Sequence, residues 1–360
     1  MVRVDKTPLH QVIIGAVPGD AIADQAFLIR RWLREMGFAS EIFAEFVHPA
    51  LTNQVRPVAT CHPAPGEHRL IYHHSIGSPV AERLMALPLR LVMIYHNITP
   101  VEFLVSVDAA LAQQMEDGRR QLLALRAHTE LALADSPYNE RDLHAAGFER
   151  TGVLPIALHE KNYQFPPNNE LIVRYKGSGP RLLFVGRLVP NKKQDDLIRL
   201  LYYYKRIEPD ARLLLVGDPW VPSYARFLGG LAVRLGLGDA VYMIGHVSQQ
   251  DLVTYYKLAD VYVSMSEHEG FGKPLVESMY LGLPVLAYAA TAVPDTLGEA
   301  GVLFHKKDYA VIAEMAHLLV REKELRTRII ARQREQAQHF LEPAVHGIWK
   351  KHLEFILGVV

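Results

Sequence analysis

The sequence has few of the features that mark secreted, membrane-spanning or nucleic-acid-binding proteins. Its 360 residues include a single cysteine, Cys61, which excludes a disulfide framework and suits a reducing cytoplasm. The formal net charge is +0, so no nucleic-acid partner is indicated. No apolar run approaches the length of a membrane span, and the N-terminal residues lack a signal-peptide pattern. These absences predict a soluble, cytoplasmic protein.

What is present is typical of a two-domain α/β protein. Hydrophobic residues make up 49% of the chain and charged residues 22%, and this length favours two domains. Short apolar runs alternate with helical patterns, which predicts parallel sheets. The predicted strands cover residues 11–16, 69–74, 90–96, 131–134, 152–157, 181–185, 212–216, 241–244, 260–264 and 285–287. Residues 159–180 lose this periodicity and contain Pro and Gly breakers, so we place a linker there.

Distinctive residues lie at the ends of several predicted strands. In the second half they are Arg187, His246 and Glu269. In the first half they are Gly15, Gly19, His73, His74 and His96. Because doubly wound sheets bind ligands at the carboxyl ends of their strands, we expect a ligand between two facing domain edges.

The most informative segment is Glu269-Gly-Phe-Gly-Lys-Pro-Leu-Val-Glu277, which follows a predicted strand and leads into a helix. Pro274 stands near the first turn of that helix, where its missing N–H costs nothing. The backbone N–H groups of residues 270–272 would then face an anion or sugar hydroxyls. The carboxylates of Glu269 and Glu277 bracket this cradle, and hydroxyl groups are their natural partners. The segment therefore predicts a nucleotide-sugar pocket.

A second motif, Val185-Gly-Arg187-Leu-Val-Pro-Asn-Lys192-Lys193, places two cations after another predicted strand. Arg187 leaves the strand on Gly186, and Lys192 follows a Pro-Asn turn. The Arg fork and the Lys point charge could both reach one diphosphate. The alternative is a pair of solvated surface cations, and the neighbouring Glu269 segment favours the diphosphate interpretation.

Together these motifs resemble glycosyltransferase family 4, the retaining group 1 glycosyltransferases of the GT-B fold. The residues that carry the resemblance are Gly186-Arg187 with Lys192, Glu269 with Glu277, Pro284-Val-Leu-Ala287, Val293-Pro-Asp295 and Ala300-Gly-Val-Leu-Phe304. Weaker matches in the first half are Tyr95-His96-Asn97 and Asp135-Ser-Pro-Tyr-Asn139. Two positions depart from the family: Asp295 stands where Glu is more common, and Lys273 replaces an apolar or small residue.

The resemblance implies two Rossmann-like domains that face each other across a cleft. Residues 1–165 would form the acceptor domain, completed by a C-terminal helix of residues 342–360 that crosses back to it. Residues 166–341 would form the donor domain. The apolar segment 348–356, with Trp349 and Phe355 at helical spacing, suits such a helix; packing on the second domain is the alternative.

The resemblance also implies roles for single residues. Arg187 and Lys192 would neutralise the leaving diphosphate, and Glu277 would accept the two ribose hydroxyls. Glu269 would bind hydroxyls of the transferred sugar, and His96 would lie over that sugar at the reacting face. The other implied donor contacts are Gly15, Gly19, Gly186, His246, Gly270, Phe271 and Gly272.

Several of these residues have a structural alternative. Gly15 and Gly19 could serve a tight turn without any ligand. His73 and His74 could contact a donor or acceptor, or could be hydrogen-bonded structural histidines. Neighbours on a strand point to opposite faces, so the pair is unsuited to share one metal ion. For Asp135 and Asn139 we favour caps of the helix that starts near Pro137 over substrate contacts.

The family implies retention of the anomeric configuration by front-face attack, with the leaving phosphate helping to deprotonate the acceptor. Attack by Glu269 as a nucleophile from the opposite face is the alternative. The sequence lacks an Asp-x-Asp motif, so we expect no required metal ion and no cofactor.

The predicted function is transfer of a sugar from a GDP- or UDP-sugar to a glycan, glycolipid or other hydroxyl acceptor, in polysaccharide or glycoconjugate biosynthesis. One alternative is a sugar phosphorylase or epimerase of the same fold, and another is a non-catalytic nucleotide-sugar-binding scaffold. Scaffolds of this kind commonly lose the Glu pair or the Arg/Lys pair, and this chain has both. Arg30, Arg31 and Arg34 form a local basic patch that could contact the inner membrane face peripherally.

Overall fold

The structure, a computed structural model, describes residues 8–62, 68–175, 177 and 179–357. The chain divides into two compact units. Unit 1 comprises Met1–Val105, Ala109–Ala157 and Glu342–Val360, and unit 2 comprises Ser106–Asp108 and Leu158–Leu341. The predicted boundary after residue 165 therefore falls inside unit 2. The predicted linker also belongs to unit 2, and it contains a 3-10 turn at Glu160–Tyr163 and a short helix.

Unit 1 is built on a parallel sheet of seven strands in the order β3-β2-β1-β4-β5-β6-β7. The strands are β1 (His10–Ala16), β2 (Ile42–Val47), β3 (Arg56–Pro57), β4 (Arg69–His74), β5 (Arg90–Tyr95), β6 (Thr129–Ala134) and β7 (Thr151–Val153). The helices are α1 (Ala21–Glu35), α2 (Pro79–Met85), α3 (Ala109–Leu125), α4 (Pro137–Ala145) and, from the end of the chain, α13 (Glu342–Leu357).

Unit 2 is built on a parallel sheet of six strands in the order β10-β9-β8-β11-β12-β13. The strands are β8 (Arg181–Val185), β9 (Arg212–Val216), β10 (Val241–Gly245), β11 (Val261–Ser264), β12 (Val285–Tyr288) and β13 (Val302–Phe304). The helices are α5 (Asn169–Arg174), α6 (Gln194–Tyr204), α7 (Pro222–Arg234), α8 (Gln249–Leu258), α9 (Lys273–Leu281), α10 (Val293–Leu297), α11 (Tyr309–Arg321) and α12 (Lys323–Gln338).

Both units confirm the prediction of doubly wound α/β architecture. In each sheet the strand order reverses once, between β1 and β4 in unit 1 and between β8 and β11 in unit 2. Central strands such as β8 and β9 are almost wholly apolar and buried, because helices cover both faces of a parallel sheet. Ligands of such sheets bind at the reversal point, beyond the carboxyl ends of the strands.

Three strands were missed by the sequence prediction: β2, β3 and β13. Strand β2 carries Glu45 among its apolar residues, and its last three residues are not buried, which weakens the apolar run. The other two are only two and three residues long. The predicted strand 152–157 is also too long, since β7 ends at Val153.

Helix α13 completes the hydrophobic core of unit 1. Its Val345, Trp349 and Leu353 are fully buried and pack with Trp32 of α1 and with residues of β4, β5 and β6. The Trp32 indole N–H donates to Glu342 Oε1 at the start of α13 (3.2 Å). Unit 1 therefore contains both the first strand and the last helix that the structure describes.

Among the helices that the structure describes, none combines the length and the apolar composition needed to cross a bilayer. The three arginines of the predicted membrane patch are engaged within unit 1. Arg30 donates to the Gln54 carbonyl, Arg31 to Glu342, and Arg34 to Glu41 (2.8 Å). These bonds weaken the case for headgroup binding by this patch.

Candidate active site

Two glycines let the chain leave the strands next to the reversal point of unit 2. Gly186 follows β8 with φ +152°, and Gly217 follows β9 with φ +144°. A Cβ atom on Gly217 would lie 2.1 Å from the Gly186 carbonyl oxygen, so only glycine fits there. This close approach brings the segments after β8 and β9 together and places Arg187 at the carboxyl edge of the sheet.

Arg187 is exposed, and its guanidinium lies over the indole ring of Trp220, 4.6 Å from the ring centroid. Trp220 is itself 42% exposed, so the pair lies at the protein surface. The Leu188 N–H donates to the Asp218 carbonyl (2.8 Å), which ties the two segments together. Sequence reasoning missed Trp220: its position after β9 places it at the same edge of the sheet, but the sequence does not show that its ring contacts Arg187.

Lys192 and Glu269 meet at the reversal point between β8 and β11. Lys192 Nζ lies 2.5 Å from Glu269 Oε2, and the two side chains are 21% and 14% exposed. Lys192 ends a 3-10 turn at Pro190–Lys192, and helix α6 begins only after Lys193, whose φ is +54°. The predicted phosphate-binding cation and the predicted sugar-binding carboxylate therefore lie side by side.

Glu277 is nearly buried, at 4% exposure, in the second turn of α9. The Tyr163 hydroxyl donates to its Oε1 (2.6 Å) and the Tyr256 hydroxyl to its Oε2 (2.5 Å). Lys273 Nζ lies 3.9 Å from Oε1. Burial, together with the adjacent carboxylate, raises the pKa of Tyr256 far above its usual value, so this hydroxyl keeps its proton. Each carboxylate oxygen can accept a further hydrogen bond, so the ribose role stays a prediction.

Residues 270–272, which precede α9, can contact a ligand through backbone groups rather than side chains. Phe271 is 4% exposed and packs edge-on against Phe340, with ring centroids 5.4 Å apart. The Thr296 hydroxyl donates to the Phe271 carbonyl (2.6 Å). Gly272 has φ +85° and begins α9 as its N-cap. Because two of these residues are glycines and the Phe271 ring is buried, a donor contact at residues 270–272 would fall to their backbone groups, and that contact stays a prediction.

His246 follows β10 and is largely exposed. Its Nδ1 lies 3.3 Å from Asp218 Oδ2, and the two side chains are 61% and 56% exposed. Its accessible position agrees with a ligand contact, and its predicted role beside the base stays a prediction.

In unit 1, only part of the segment from Gly15 to Gly19 is a loop. Gly15 lies inside β1, paired with Phe46 of β2, whereas Gly19 has φ +76° in the turn before α1. Asp20 caps α1 by accepting the N–H groups of Ile22 (3.0 Å) and Ala23 (3.2 Å). A turn at Gly19 and a cap at Asp20 account for this sequence without a ligand.

His73 and His96 belong to one buried hydrogen-bond network, whereas His74 has separate buried partners. His73 and His74 are 0% exposed and point to different partners. His74 Nε2 lies 3.0 Å from the Gly118 carbonyl and its Nδ1 lies 3.3 Å from the Tyr72 hydroxyl. Burial lowers the pKa of His74 to about 4. Complete burial rules out direct contact of either histidine with an acceptor in this conformation and favours their structural role.

The network fixes where protons lie on His73. The Gln11 side-chain amide donates to the Ala26 carbonyl (3.0 Å), so Gln11 Oε1 accepts from His73 Nε2 (3.1 Å). Burial lowers the pKa of His73 well below its usual value and keeps this ring neutral. With the proton on Nε2, His73 Nδ1 must accept from His96 Nε2 (2.9 Å).

The other nitrogen of His96 faces Asp135. His96 Nδ1 lies 2.8 Å from Asp135 Oδ2, and both side chains are only 2% exposed. One proton must lie between these two atoms, because two bare acceptors would not approach so closely. Burial raises the pKa of Asp135. Both ring nitrogens of His96 are thus engaged in the interior, so its predicted place over the sugar is not supported by this geometry.

Asp135 does not cap the following helix, contrary to our expectation. Ser136 is the N-cap of α4, and its hydroxyl accepts the Asn139 N–H (3.2 Å). The Asn139 side chain instead accepts from Asn97 Nδ2 (2.7 Å). The segment Asp135–Asn139 therefore braces the end of β5.

For metal ions, a search of residues 8–62, 68–175, 177 and 179–357 finds no cluster of three or more His, Cys, Asp or Glu side chains suited to ligation. The charged side chains described at the unit 2 site include an arginine, two lysines and two glutamates. A diphosphate can be neutralised by such cations directly.

Comparison with known proteins places this site in a family. Residues 172–336 match the family model described as glycosyl transferases group 1. The D-inositol 3-phosphate glycosyltransferase of Thermomonospora curvata is 34% identical over 210 residues, which are 53% of this chain and 48% of that protein. The chain spans about half the length of several curated relatives that it matches.

Solved structures share the whole fold. Sucrose-phosphate synthase from Thermosynechococcus elongatus has a TM-score of 0.77 at 19% identity, over 99% of this chain and 100% of that chain. HepE from Anabaena, in complex with UDP and glucose, has a TM-score of 0.74 at 20% identity, over 97% and 100%. With its two parallel sheets and its matching C-terminal half, the chain has the GT-B fold and belongs to the group 1 glycosyltransferases, family 4.

Proposed function

We propose that this chain transfers a sugar from a UDP- or GDP-sugar to a hydroxyl acceptor, with retention of the anomeric configuration and without a required metal ion or cofactor. The acceptor class is a glycan, glycolipid or related hydroxyl compound, and the pathway is polysaccharide or glycoconjugate biosynthesis. The protein would work in the cytoplasm, with peripheral contact to the inner membrane face as a further hypothesis.

The observation that carries this proposal is the contact between Lys192 and Glu269. Their side chains meet at 2.5 Å beyond β8 and β11, where the sheet order reverses. A cation suits a phosphate, and a carboxylate suits sugar hydroxyls. A nucleotide sugar offers a phosphate and hydroxyls side by side at the bond that breaks.

The same site can stabilise the leaving group. As the glycosidic bond breaks, negative charge grows on the diphosphate, and Arg187 and Lys192, both in the segment between β8 and α6, are placed to receive it. The N-terminal end of α9 adds the positive end of a helix dipole. Stabilising charge that develops in the transition state is commonly the largest contribution to catalysis. In this scheme a phosphate oxygen takes the acceptor proton, and Glu269 orients the sugar rather than attacking it.

The relatives supply two points of support. The Thermomonospora curvata relative is named as a glycosyltransferase, and HepE was solved with UDP and glucose. UDP-glucose is therefore a sensible first donor to try, alongside GDP-sugars.

The test is calorimetric titration of the protein with UDP, GDP, ADP and their common sugar conjugates, with and without EDTA. We expect binding of one nucleoside diphosphate that EDTA does not change. The matching sugar conjugate should then be hydrolysed or transferred with retention, as read from the anomeric proton signals of the product. Binding without any turnover would favour the scaffold, and no binding at millimolar concentration would contradict the proposal.

A further inference from the structure

Strained backbone in this protein is concentrated beside the predicted catalytic residues. Among the described residues, Asn97, Lys193 and Thr291 are the non-glycine residues with positive φ, at 67°, 54° and 50°. Asn97 and Lys193 directly follow the predicted catalytic residues His96 and Lys192 in sequence, and Thr291 is hydrogen-bonded to a further one, Glu269. Strain of this kind persists only where the surrounding structure enforces it, and it clusters at functional sites.

Thr291 is the most unfavourable of the three. Its side chain branches at Cβ, and such residues are rare in the left-handed region, where glycine is unstrained. Asparagine, by contrast, is several-fold enriched there. A threonine at this position must therefore supply something that glycine lacks.

What Thr291 supplies is a hydroxyl that bonds both backbone groups of Glu269. Its Oγ1 accepts from the Glu269 N–H (2.8 Å) and donates to the Glu269 carbonyl (2.9 Å). The Ala292 N–H donates to the same carbonyl (3.3 Å). The Thr291 hydroxyl thus satisfies both backbone groups of Glu269, as the backbone of a neighbouring strand would in a sheet.

The same segment is held from its other side by the turn that ends at Lys192. The Glu267 N–H donates to the Asn191 carbonyl (2.9 Å), and Asn191 Nδ2 donates to the His268 carbonyl (3.1 Å). Held from both sides, the backbone of Glu269 has little freedom to rotate. Its carboxylate is thereby directed at the ammonium of Lys192.

We propose that Thr291 is a positioning residue: its hydroxyl fixes the Glu269 backbone so that the carboxylate meets the transferred sugar beside Lys192. This inference rests on the proposed function of the site. It goes beyond the carboxylate itself, because it assigns the orientation of Glu269 to a side chain in a different loop.

Three substitutions separate the hydroxyl from the strain. Thr291→Val keeps the shape and the strain but loses the hydroxyl, Thr291→Ser keeps the hydroxyl, and Thr291→Gly removes both. With the sugar nucleotide that the wild type uses, we expect kcat to fall about 10- to 100-fold in Thr291→Val and Thr291→Gly. Thr291→Ser should stay close to wild type, and the affinity for the nucleoside diphosphate alone should not change in any variant.

The thermal midpoints of the Thr291 variants should not follow the same order as their kcat values. Thr291→Gly relieves the backbone, so its thermal midpoint should match or exceed that of Thr291→Val while its kcat is equally low. Full kcat in Thr291→Val, or equal losses in Thr291→Ser and Thr291→Val, would overturn the proposal.

Thr254 provides a matched control in the same unit. It is 0% exposed, and its hydroxyl also accepts a backbone N–H, from Asn168 (2.8 Å), and donates to a carbonyl, of Gln250 (2.8 Å). We expect Thr254→Val to lower the thermal midpoint and leave kcat unchanged. If it lowers kcat as much as Thr291→Val does, the effect is general loss of stability and the proposal is wrong.

Hydrogen exchange at the Glu269 amide gives a measure that does not need turnover. We expect faster exchange in Thr291→Val than in wild type, Thr291→Ser or Thr254→Val. If the wild type acts on no nucleotide sugar, the proposed function fails. The exchange rate alone then tests whether the Thr291 hydroxyl fixes the Glu269 backbone. Unchanged exchange in Thr291→Val would overturn it.

Discussion

The polar residues at the carboxyl edges of the two sheets are organised in opposite ways. In unit 1, His73, His74 and His96 are inside the protein, and their ring nitrogens are taken up by neighbouring side chains and a carbonyl. In unit 2, Arg187 and His246 are largely exposed. Two sheets of the same winding therefore use similar positions differently: unit 1 engages these side chains inside the protein, and unit 2 leaves Arg187 and His246 accessible to the ligand that we propose.

The largest effect should come from the exposed cation of unit 2. We expect Arg187→Ala to lower kcat about 10²- to 10³-fold with the fold intact, because developing diphosphate charge loses a partner. Steady-state kinetics with the identified donor would measure this. Arg206, which lies over Tyr202 (4.9 Å) elsewhere in unit 2, gives the control Arg206→Ala, which should keep full activity. Full activity of Arg187→Ala would show that Arg187 does not stabilise the leaving diphosphate.

A substitution of a buried histidine in unit 1 should change stability instead. The pKa of His74 falls from 6.5 to about 4 on folding, so this ring stays neutral in the native protein while the unfolded chain gains a proton. A depressed native pKa means that stability is lost as the pH falls from 6.5 towards 4, by roughly 3 kcal/mol from this residue. Urea unfolding at pH 7 and pH 4.5 should show this loss in wild type.

His74→Asn should flatten that pH dependence, although it also lowers stability at pH 7 by removing two hydrogen bonds. The exposed His339 gives the control: His339→Asn should leave the pH dependence as in wild type. An equal slope in His74→Asn and wild type would show that this histidine does not brace the unit.

Glu277 tests whether a buried residue of unit 2 can bind a ligand, because it is nearly as buried as the histidines of unit 1. We expect Glu277→Ala to weaken nucleoside diphosphate binding about 10- to 100-fold, the worth of hydrogen bonds to a charged group. Calorimetry would measure the affinity. Glu277→Ala should also lower the thermal midpoint, since the hydroxyls of Tyr163 and Tyr256 lose their acceptor.

The exposed Glu314 offers a control for the loss of one carboxylate from unit 2. Glu314→Ala should change neither affinity nor midpoint. If Glu277→Ala lowers only the midpoint, Glu277 is a structural acceptor for the two tyrosines and the ribose assignment is wrong.

The smallest expected effect concerns Trp220. Its ring supports the Arg187 guanidinium at 4.6 Å, and a cation over an aromatic face is worth about 0.5–2 kcal/mol. We therefore expect Trp220→Ala to lower kcat/KM for the donor about 3- to 30-fold. Trp220→Phe keeps an aromatic face and should recover most of the loss, and equal losses in both variants would contradict a stacking role.

The residues of unit 2 could be predicted because their chemistry depends on short segments of sequence. Arg187 and Glu269 follow apolar strands almost directly, so the strand pattern alone places them at the carboxyl edge of the sheet. The contact between Lys192 and Glu269 follows from the strand order, since β8 and β11 are neighbours. Trp220 lies after a third strand, and a tryptophan in a loop gives no signal of what lies over its face.

The network of unit 1 could not be predicted in the same way. Gln11 and His73 come from two strands and His96 and Asp135 from the loops after two others, and only the folded sheet brings their side chains into one chain of hydrogen bonds. In the sequence, each histidine resembles a catalytic residue, because a motif of two or three residues does not show whether the side chain is buried. The positive φ of Thr291 was hidden for a related reason: the sequence gives no glycine there to mark a left-handed turn.

The position of α13 in unit 1 has a consequence for how the protein is made. Unit 2 is nearly continuous in sequence, so it can complete its core while the ribosome still holds the last helix. Unit 1 cannot, because Trp349 and its neighbours emerge last and are needed to cover Trp32. During synthesis, unit 1 therefore has to wait for α13, which follows unit 2 in sequence, and completes its core second.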